Sequence, residues 1–147
     1  MMRDIQIALD RWGGWASSDN CGVDYSHIAA GFKGLIASDR SERQSCSDHD
    51  GRVIDQAITK LKAVRKDEEL DLIIAHYMYG VSKRAIARKW KLSEGRIRQM
   101  LQVAEGFVDG YLYATGAVLD MDLEIEKSRV INCSKKALVR YANSVLL

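Results

Sequence analysis

Apolar residues recur along most of the chain at three- and four-residue intervals, the spacing of one helical face. Ile5, Leu9, Trp12 and Ala16 form a first stripe over residues 3–16, weakened at its end by Gly13-Gly14. SSDNCGVD (17–24) is rich in turn formers. YSHIAAGFKGLI (25–36) is apolar with two glycines and predicts one or two short helices packed on the first, whereas ASDRSERQSCSDHD (37–50) reads as a polar loop. A further helix is predicted to start at Asp48 or Asp50 and to bury Val53, Ala57, Leu61 and Val64. The charged run Arg65-Lys66-Asp67-Glu68-Glu69 interrupts that stripe. Leu70, Ile73, Ile74, Tyr77 and Met78 form the next one, which Gly80 closes as the residue just past a helix cap. Near the end, DMDLEIE (120–126) alternates apolar and acidic positions. Residues 134–147 predict an amphipathic helix capped by Ser134, with Ala137, Leu138, Tyr141, Ala142 and Val145 on one face. Long alternating runs bounded by tight turns are missing, and the chain has no proline. The prediction is therefore an all-α fold.

The clearest pattern lies at 81–105, VSKRAIARKWKLSEGRIRQMLQVAE. Ser82 is a good N-cap for a short helix, Lys83–Trp90, with Ala85, Ile86 and Trp90 on one face. Lys91-Leu92-Ser93 makes a turn in which Leu92 is expected to plug the gap between two helices. Ser93 caps a second, longer helix, and Glu94 suits its positive N-terminal end. Ile97, Leu101, Ala104 and Val108 then share a face that points inward, with Gly95, Gln99, Gln102 and Gly106 opposite and Arg96 and Arg98 on the flanks. This helix is expected to run to about Thr115 and stop at Gly116. Two caps, a short turn and this charge asymmetry predict a helix-turn-helix. In such a unit the second helix enters the major groove of double-stranded DNA with its first turns at the base edges. Arg pairs with guanine and Gln with adenine in two bonds, so Gly95, Arg96, Arg98, Gln99 and Gln102 are the candidate base readers. Lys83, Arg84, Arg88, Lys89 and Lys91 are the candidate phosphate contacts, which position the protein without specifying sequence.

Charge distribution supports that reading more than net charge does. The total is only +2. Residues 80–105, however, hold seven basic and two acidic residues, whereas residues 106–126 hold five acidic and no basic ones. Residues 127–147 are again basic, with five such residues and no acidic one. Local charge of this kind acts on phosphate even when the total is small. The expected organisation is an N-terminal helical segment with a polar loop (1–50), a helix-turn-helix core (51–119) and a C-terminal tail or arm (120–147).

AITKLKAVRKDEELDLIIAHYMYGVSKRAIARKWKLSEGRIRQMLQVAEGFV (57–108) resembles the region-four helix-turn-helix of bacterial sigma factors. More specifically, RDIQ followed after three residues by DRWGGW, together with SHIAAGFKGLI (26–36) and QVAEGFVDGYLYATGAVLDMD (102–122), resembles the antitermination protein Q family of lambdoid phages. The similarity is to the type found in phage 21, not to the zinc-containing type of phage lambda, and it spans roughly residues 2–122. The resemblance implies a protein that binds a DNA element beside a late promoter and engages paused bacterial RNA polymerase with its sigma factor. It further implies obstruction of RNA hairpins at the exit channel, so that late genes are transcribed, in the cytoplasm of the bacterial host. Nascent RNA would then be met sterically, and Lys33, Arg40 and Arg43 are candidates for a channel lining. The number of copies on DNA, one or two, stays open.

Other chemistry is weakly signalled. Cys46-Ser-Asp-His49-Asp50 offers half of a metal-ligand spacing, with no partner pair in sequence, and neither a metal nor a cofactor is expected. No motif joins Cys21 or Cys46 to His27 or His49 as a nucleophile and base, and no phosphate-binding glycine loop occurs, so an enzyme is not expected. Trp12, Trp15 and Trp90 at helical spacing read as core, His27 and His76 as core or boundary residues, and Asp120, Asp122, Glu124 and Glu126 as a solvated acidic segment or a contact for a basic partner. The start MMRDIQIALDRW carries charges where a leader would be apolar, and no stretch is long enough to cross a bilayer, so a soluble intracellular protein is expected. Two alternatives remain at this level. One is a repressor or sigma-like activator acting only at initiation; the other is a helical interaction protein without specific DNA readout.

Overall fold

The computed structural model describes residues 3–18, 22–36 and 43–123. Among these, the regular structure is six α-helices, one 3-10 turn and one π turn, and no strand occurs. The predicted helix at 134–147 lies outside the described residues, as do Glu124 and Glu126.

Helix α1 (Ile5–Ala16) starts at Asp4, whose carboxylate accepts from the backbone N–H groups of Gln6 and Ile7. Its inward face is Ala8, Leu9, Trp12, Trp15 and Ala16. Gly13 and Gly14 do more than weaken the helix end. A Cβ on Gly13 would stand 1.9 Å from the Tyr77 carbonyl oxygen, and one on Gly14 would stand 2.1 Å from that of Gln44. The double glycine thus lets two other backbone segments lie directly on α1.

Helix α2 is one turn, Ser26–Ala29, continued by a 3-10 turn over Ala30–Phe32. The glycines here do not serve close packing. Gly31 and Gly34 face open space, and Gly34 adopts φ +88°, a left-handed turn that a side chain would strain. Phe32 is buried, and its ring lies 6.0 Å from that of Trp90, which ties this segment to the helix-turn-helix.

Helix α3 (Asp48–Ala63) begins at the Ser47 cap. Its buried stripe is Ile54, Ala57, Ile58 and Leu61, one residue round from the predicted one; Val53 is only partly buried and Val64 is 50% exposed. The helix ends in a left-handed residue, Arg65 (φ 60°), with the Lys66 N–H returning to the Leu61 carbonyl at 2.8 Å. The charged break is therefore shorter than predicted. Asp67, Glu68 and Glu69 already form the first turn of α4 (Asp67–Ile73), where negative charge suits the helix dipole.

From Ile74 to Met78 the helix widens into a π turn, then closes with Gly80 in the left-handed region at φ +69°. The last carbonyls of a helix have no partner within it. Here they find partners elsewhere: Val81 N–H donates to Ala75 O (2.9 Å), Ser17 Oγ donates to Met78 O (2.9 Å), and Arg43 donates to Met78 O (2.8 Å) and to Tyr77 O. The π turn packs against α1, and α4 packs against the last helix. One continuous core results, running from Ala8 to Met121 and joining all the helices.

Polar pairs seal this core. Tyr77 Oη donates to Glu105 Oε1 at 2.5 Å, and Tyr25 Oη donates to Asp55 Oδ1 at 2.7 Å. Burial, then the carboxylate partner, raises both phenols well above the ordinary tyrosine range. Arg3 Nε meets Asp122 Oδ1 at 2.7 Å, a second bond joins Arg3 Nη2 to Asp122 Oδ2 at 2.9 Å, and Asp122 is only 4% exposed. Asp50, also buried, accepts from the N–H groups of Asp120 (2.7 Å) and Met121 (3.0 Å). The segment at 120–122 is thus not a solvated acidic stretch: Asp122 and Met121 are internal, and only Asp120 is exposed.

Candidate nucleic-acid interface

Helix α5 (Lys83–Trp90) and helix α6 (Glu94–Ala114) have the predicted bounds and caps. Ser82 Oγ accepts from Ala85 N–H and Ser93 Oγ from Arg96 N–H, both at 3.1 Å. The turn between them has a specific cause. Lys91 is left-handed (φ 57°), its N–H returns to Arg88 O, and the Leu92 N–H returns to Ala87 O at 3.0 Å. These paired bonds form a Schellman closure, in which glycine usually fills the left-handed position. Leu92 does not plug the pair. It is 42% exposed, whereas Ile86 and Ala87 on α5 and Ile97 and Leu101 on α6 are buried.

Along α6, Ile97, Met100, Leu101, Ala104, Val108 and Leu112 are buried, together with Glu105. Gly95, Arg96, Arg98, Gln99 and Gln102 are all exposed, so the five candidate readers lie outside the core on the first turns of α6. Open space faces Gly95 where a side chain would stand. On the preceding helix and turn, Arg84, Arg88, Lys89 and Lys91 are exposed and Lys83 is half-buried. Among the described residues, no carboxylate pairs with Arg88, Lys89, Lys91 or Arg96. Arg98 Nη2 lies 2.7 Å from Glu94 Oε1, and Arg84 Nε lies 3.9 Å from Glu94 Oε2. The Glu94–Arg98 spacing of four residues was legible in sequence, but its competition with a base-reading role was not.

The three candidates for an RNA-channel lining separate. Arg43 is half-buried and its guanidinium holds the carbonyls at the end of the π turn, so it is not available as a lining cation. Lys33 is exposed, but it borders a groove of ≈ 410 Å³ shared with Leu35, Ala85, Arg88 and Lys89, which puts it beside α5. Arg40 lies outside the described residues. A second groove, of ≈ 570 Å³, runs between the start of α4 and α6, lined by Lys66, Glu69, Arg96, Gln99 and Val103 among others. Val103, 50% exposed beside Arg96, was not a sequence candidate.

The remaining candidates find structural roles. Trp12 and Trp15 are core residues, and Trp15 Nε1 donates to Asp48 Oδ1 at 2.9 Å. Trp90 is half-buried against Phe32, and His76 sits at the core boundary, 3.0 Å from the Val81 carbonyl. His27 is exposed, contrary to its expected place, because the single turn of α2 buries Ile28 and turns its neighbour outward. Burial, followed by the nearby Asp50 charge, pushes the Cys46 thiol up to about 12, far from a nucleophilic thiolate at neutral pH. His49, Asp50 and Asp120 place one ligand atom each within 4.8 Å of one another. Both Asp50 oxygens, however, already accept backbone N–H groups, and Ser47 Oγ donates to Asp120. No helix of the described residues is long and apolar enough to cross a membrane.

Comparison with known proteins fits this architecture. The family described as phage antitermination protein Q matches residues 2–120. A protein of Acyrthosiphon pisum secondary endosymbiont phage 1, named probable antitermination protein Q, is 56% identical over 126 residues, covering 86% of this chain and 85% of its own length. The prophage antitermination protein Q homolog QuuD of Escherichia coli K12 is 41% identical over 127 residues, covering 86% of this chain and 99% of its own length. Antitermination protein Q of Escherichia phage 933W is 41% identical over 126 residues, covering 86% of this chain and 87% of its own. Among solved structures, the transcription antitermination factor Q21, a selenomethionine derivative, shares the fold with a TM-score of 0.55 at 19% identity, over 76% of this chain and 89% of its own. This chain belongs to the phage antitermination protein Q family.

Proposed function

We propose that the protein is a late-gene antitermination factor that enters the transcription complex by reading DNA with α6. The observation that carries the DNA step is the helix-turn-helix itself: exposed Arg96, Arg98, Gln99 and Gln102 at the start of a capped helix, preceded by the exposed cations of α5. Arg and Gln at the base edges specify; Arg84, Arg88, Lys89 and Lys91 along the sugar-phosphate backbone position. Lys33, beside Arg88 and Lys89, extends that row of cations.

In this reading DNA binding is the loading step. The protein recognises an element near a late promoter, joins RNA polymerase paused there with its sigma factor, and stays on during elongation. A hairpin stem needs more width than a single RNA strand. A folded body held at the RNA exit therefore opposes pausing and termination without catalysis. The family to which the chain belongs supports the antitermination role. The deciding experiment is purified transcription from a late promoter with an intrinsic terminator downstream. Added protein raises readthrough at unchanged initiation. A protein that altered only the number of transcripts started, leaving the fraction read through unchanged, would be an initiation regulator instead.

A further inference from the structure

Glu94 is the one acidic side chain in the first turn of the reading helix. Its carboxylate faces two arginines, one on each helix of the pair: Arg98 at 2.7 Å on one oxygen, Arg84 at 3.9 Å on the other. All three side chains are at least one-third exposed, so this cluster is not needed to fill the core. An exposed pair of this kind adds little to stability. Its position is also unfavourable for simple attraction to DNA, since a carboxylate beside the phosphate backbone repels it and lowers the charge of both arginines' surroundings.

We infer that Glu94 is a positioning and discriminating residue for DNA reading. This rests on the proposed role of α6. The contact draws Arg98 back towards the start of the helix, the end that approaches base edges. A guanidinium offers five N–H donors, so the bond to Glu94 leaves an edge for the two acceptors of guanine. Held in this way, Arg98 is oriented before it meets DNA and gives up less side-chain freedom on binding. The same carboxylate competes with phosphate for Arg98 wherever no matching base draws that side chain away. Glu94 thus lowers affinity for arbitrary DNA more than for the right site, the kind of repulsive element that specificity requires.

The test uses the full chain and a random-sequence duplex library, selected and sequenced in parallel for wild type, Glu94→Gln and Arg98→Ala. The duplex enriched by wild type and a scrambled duplex are then titrated at several salt concentrations. Glu94→Gln keeps the side chain's shape and removes its charge. It is expected to bind scrambled duplex several-fold more tightly and to steepen the salt dependence by about one unit in slope, as the freed Arg98 reaches phosphate. The preference for the enriched duplex should narrow roughly 10-fold, the scale of one good base contact. Glu94→Gln and Arg98→Ala should relax the same base position, a signature that mere loss of helix stability would not give. The inference falls if Glu94→Gln shifts both duplexes equally or neither, or if it relaxes a position other than that of Arg98→Ala. If Arg98→Ala relaxes no position while wild type still selects a sequence, the inference falls and DNA reading stands. If wild type selects no sequence, the reading of α6 falls and the inference with it.

Discussion

The two ends of this fold use charge in opposite ways. In the body, around α1, α3 and residues 117–122, several ionic and polar groups face inward and meet partners: Arg3 with Asp122, Tyr25 with Asp55, Tyr77 with Glu105, Asp50 with two backbone N–H groups. On α5 and the first turns of α6, cations stand in solvent, and Glu94 alone among the described residues pairs with them. Both regions carry Arg and Asp or Glu, so composition does not separate them. What separates them is desolvation. A charge taken from water needs a partner at close range, whereas an exposed cation keeps its hydration until a phosphate or a base replaces it. The inward charges of the body therefore help to fix the fold, and the cations on α5 and the start of α6 stay hydrated.

Breaking a body pair should give the largest effect. Asp122→Ala leaves Arg3 buried without its carboxylate and is expected to cost about 3–5 kcal/mol of stability. Denaturant melts would measure it, and DNA affinity per folded molecule should stay unchanged. The pH dependence sharpens the same point. Although burial pushes the Asp122 carboxyl up, the Arg3 hydrogen bond and the Leu119 N–H outweigh it and hold its pKa below the ordinary 3.8. Its contribution is thus present above pH 3.8 and lost as pH falls through the lower folded value. Asp55 has the opposite sign. Burial raises its pKa despite the Tyr25 bond, so its contribution is complete below 3.8 and is lost as pH rises through the folded value. Acid melts of Asp122→Asn should lose the first limb and keep the second.

A backbone contact in the body comes next. Gly13→Ala would drive a Cβ into the Tyr77 carbonyl, where backbone and not a flexible side chain must move. The expected loss is roughly 1–3 kcal/mol, towards the upper end, seen as a lower melting temperature. In the head, Arg96→Ala should leave the melt alone and weaken binding to the selected site by about 1–3 kcal/mol, with relaxed preference at one base. Lys89→Ala should instead weaken all sequences alike and flatten the salt dependence by about one unit of slope. Equal behaviour of the two variants would show that Arg96 contacts phosphate only. The smallest effect belongs to the turn. Lys91→Gly removes a left-handed side-chain residue and should raise stability by up to about 1 kcal/mol, while the lost charge costs DNA affinity.

The helix-turn-helix was legible because its signals are local. A serine cap acts on an N–H three residues on, and an apolar stripe repeats within two turns, so Ser82, Ser93 and the inward face of α6 could be read directly. At the turn, an apolar residue between two helices suggests a plug at Leu92. The Schellman closure at Lys91 instead directs that side chain outward. Gly13 and Gly14 looked like a weak helix end, and their use appears only where Tyr77 and Gln44 cross α1. Asp122 looked solvated until the fold brought Arg3, far away in sequence, onto it.

By itself, then, the sequence determined an all-α chain, the bounds of α5 and α6, and the exposed set from Gly95 to Gln102. Each of these follows from interactions within a few residues. Tertiary structure alone decided the rest. It turned Arg43 from a candidate lining residue into a clamp on the π turn, moved Lys33 beside Arg88 and Lys89, and buried Asp50 and Asp122. The physical reason is common to all of them. Whether a charge works on a ligand or on the protein depends on what lies within a few ångströms of it, and for these residues that neighbour comes from a distant part of the chain.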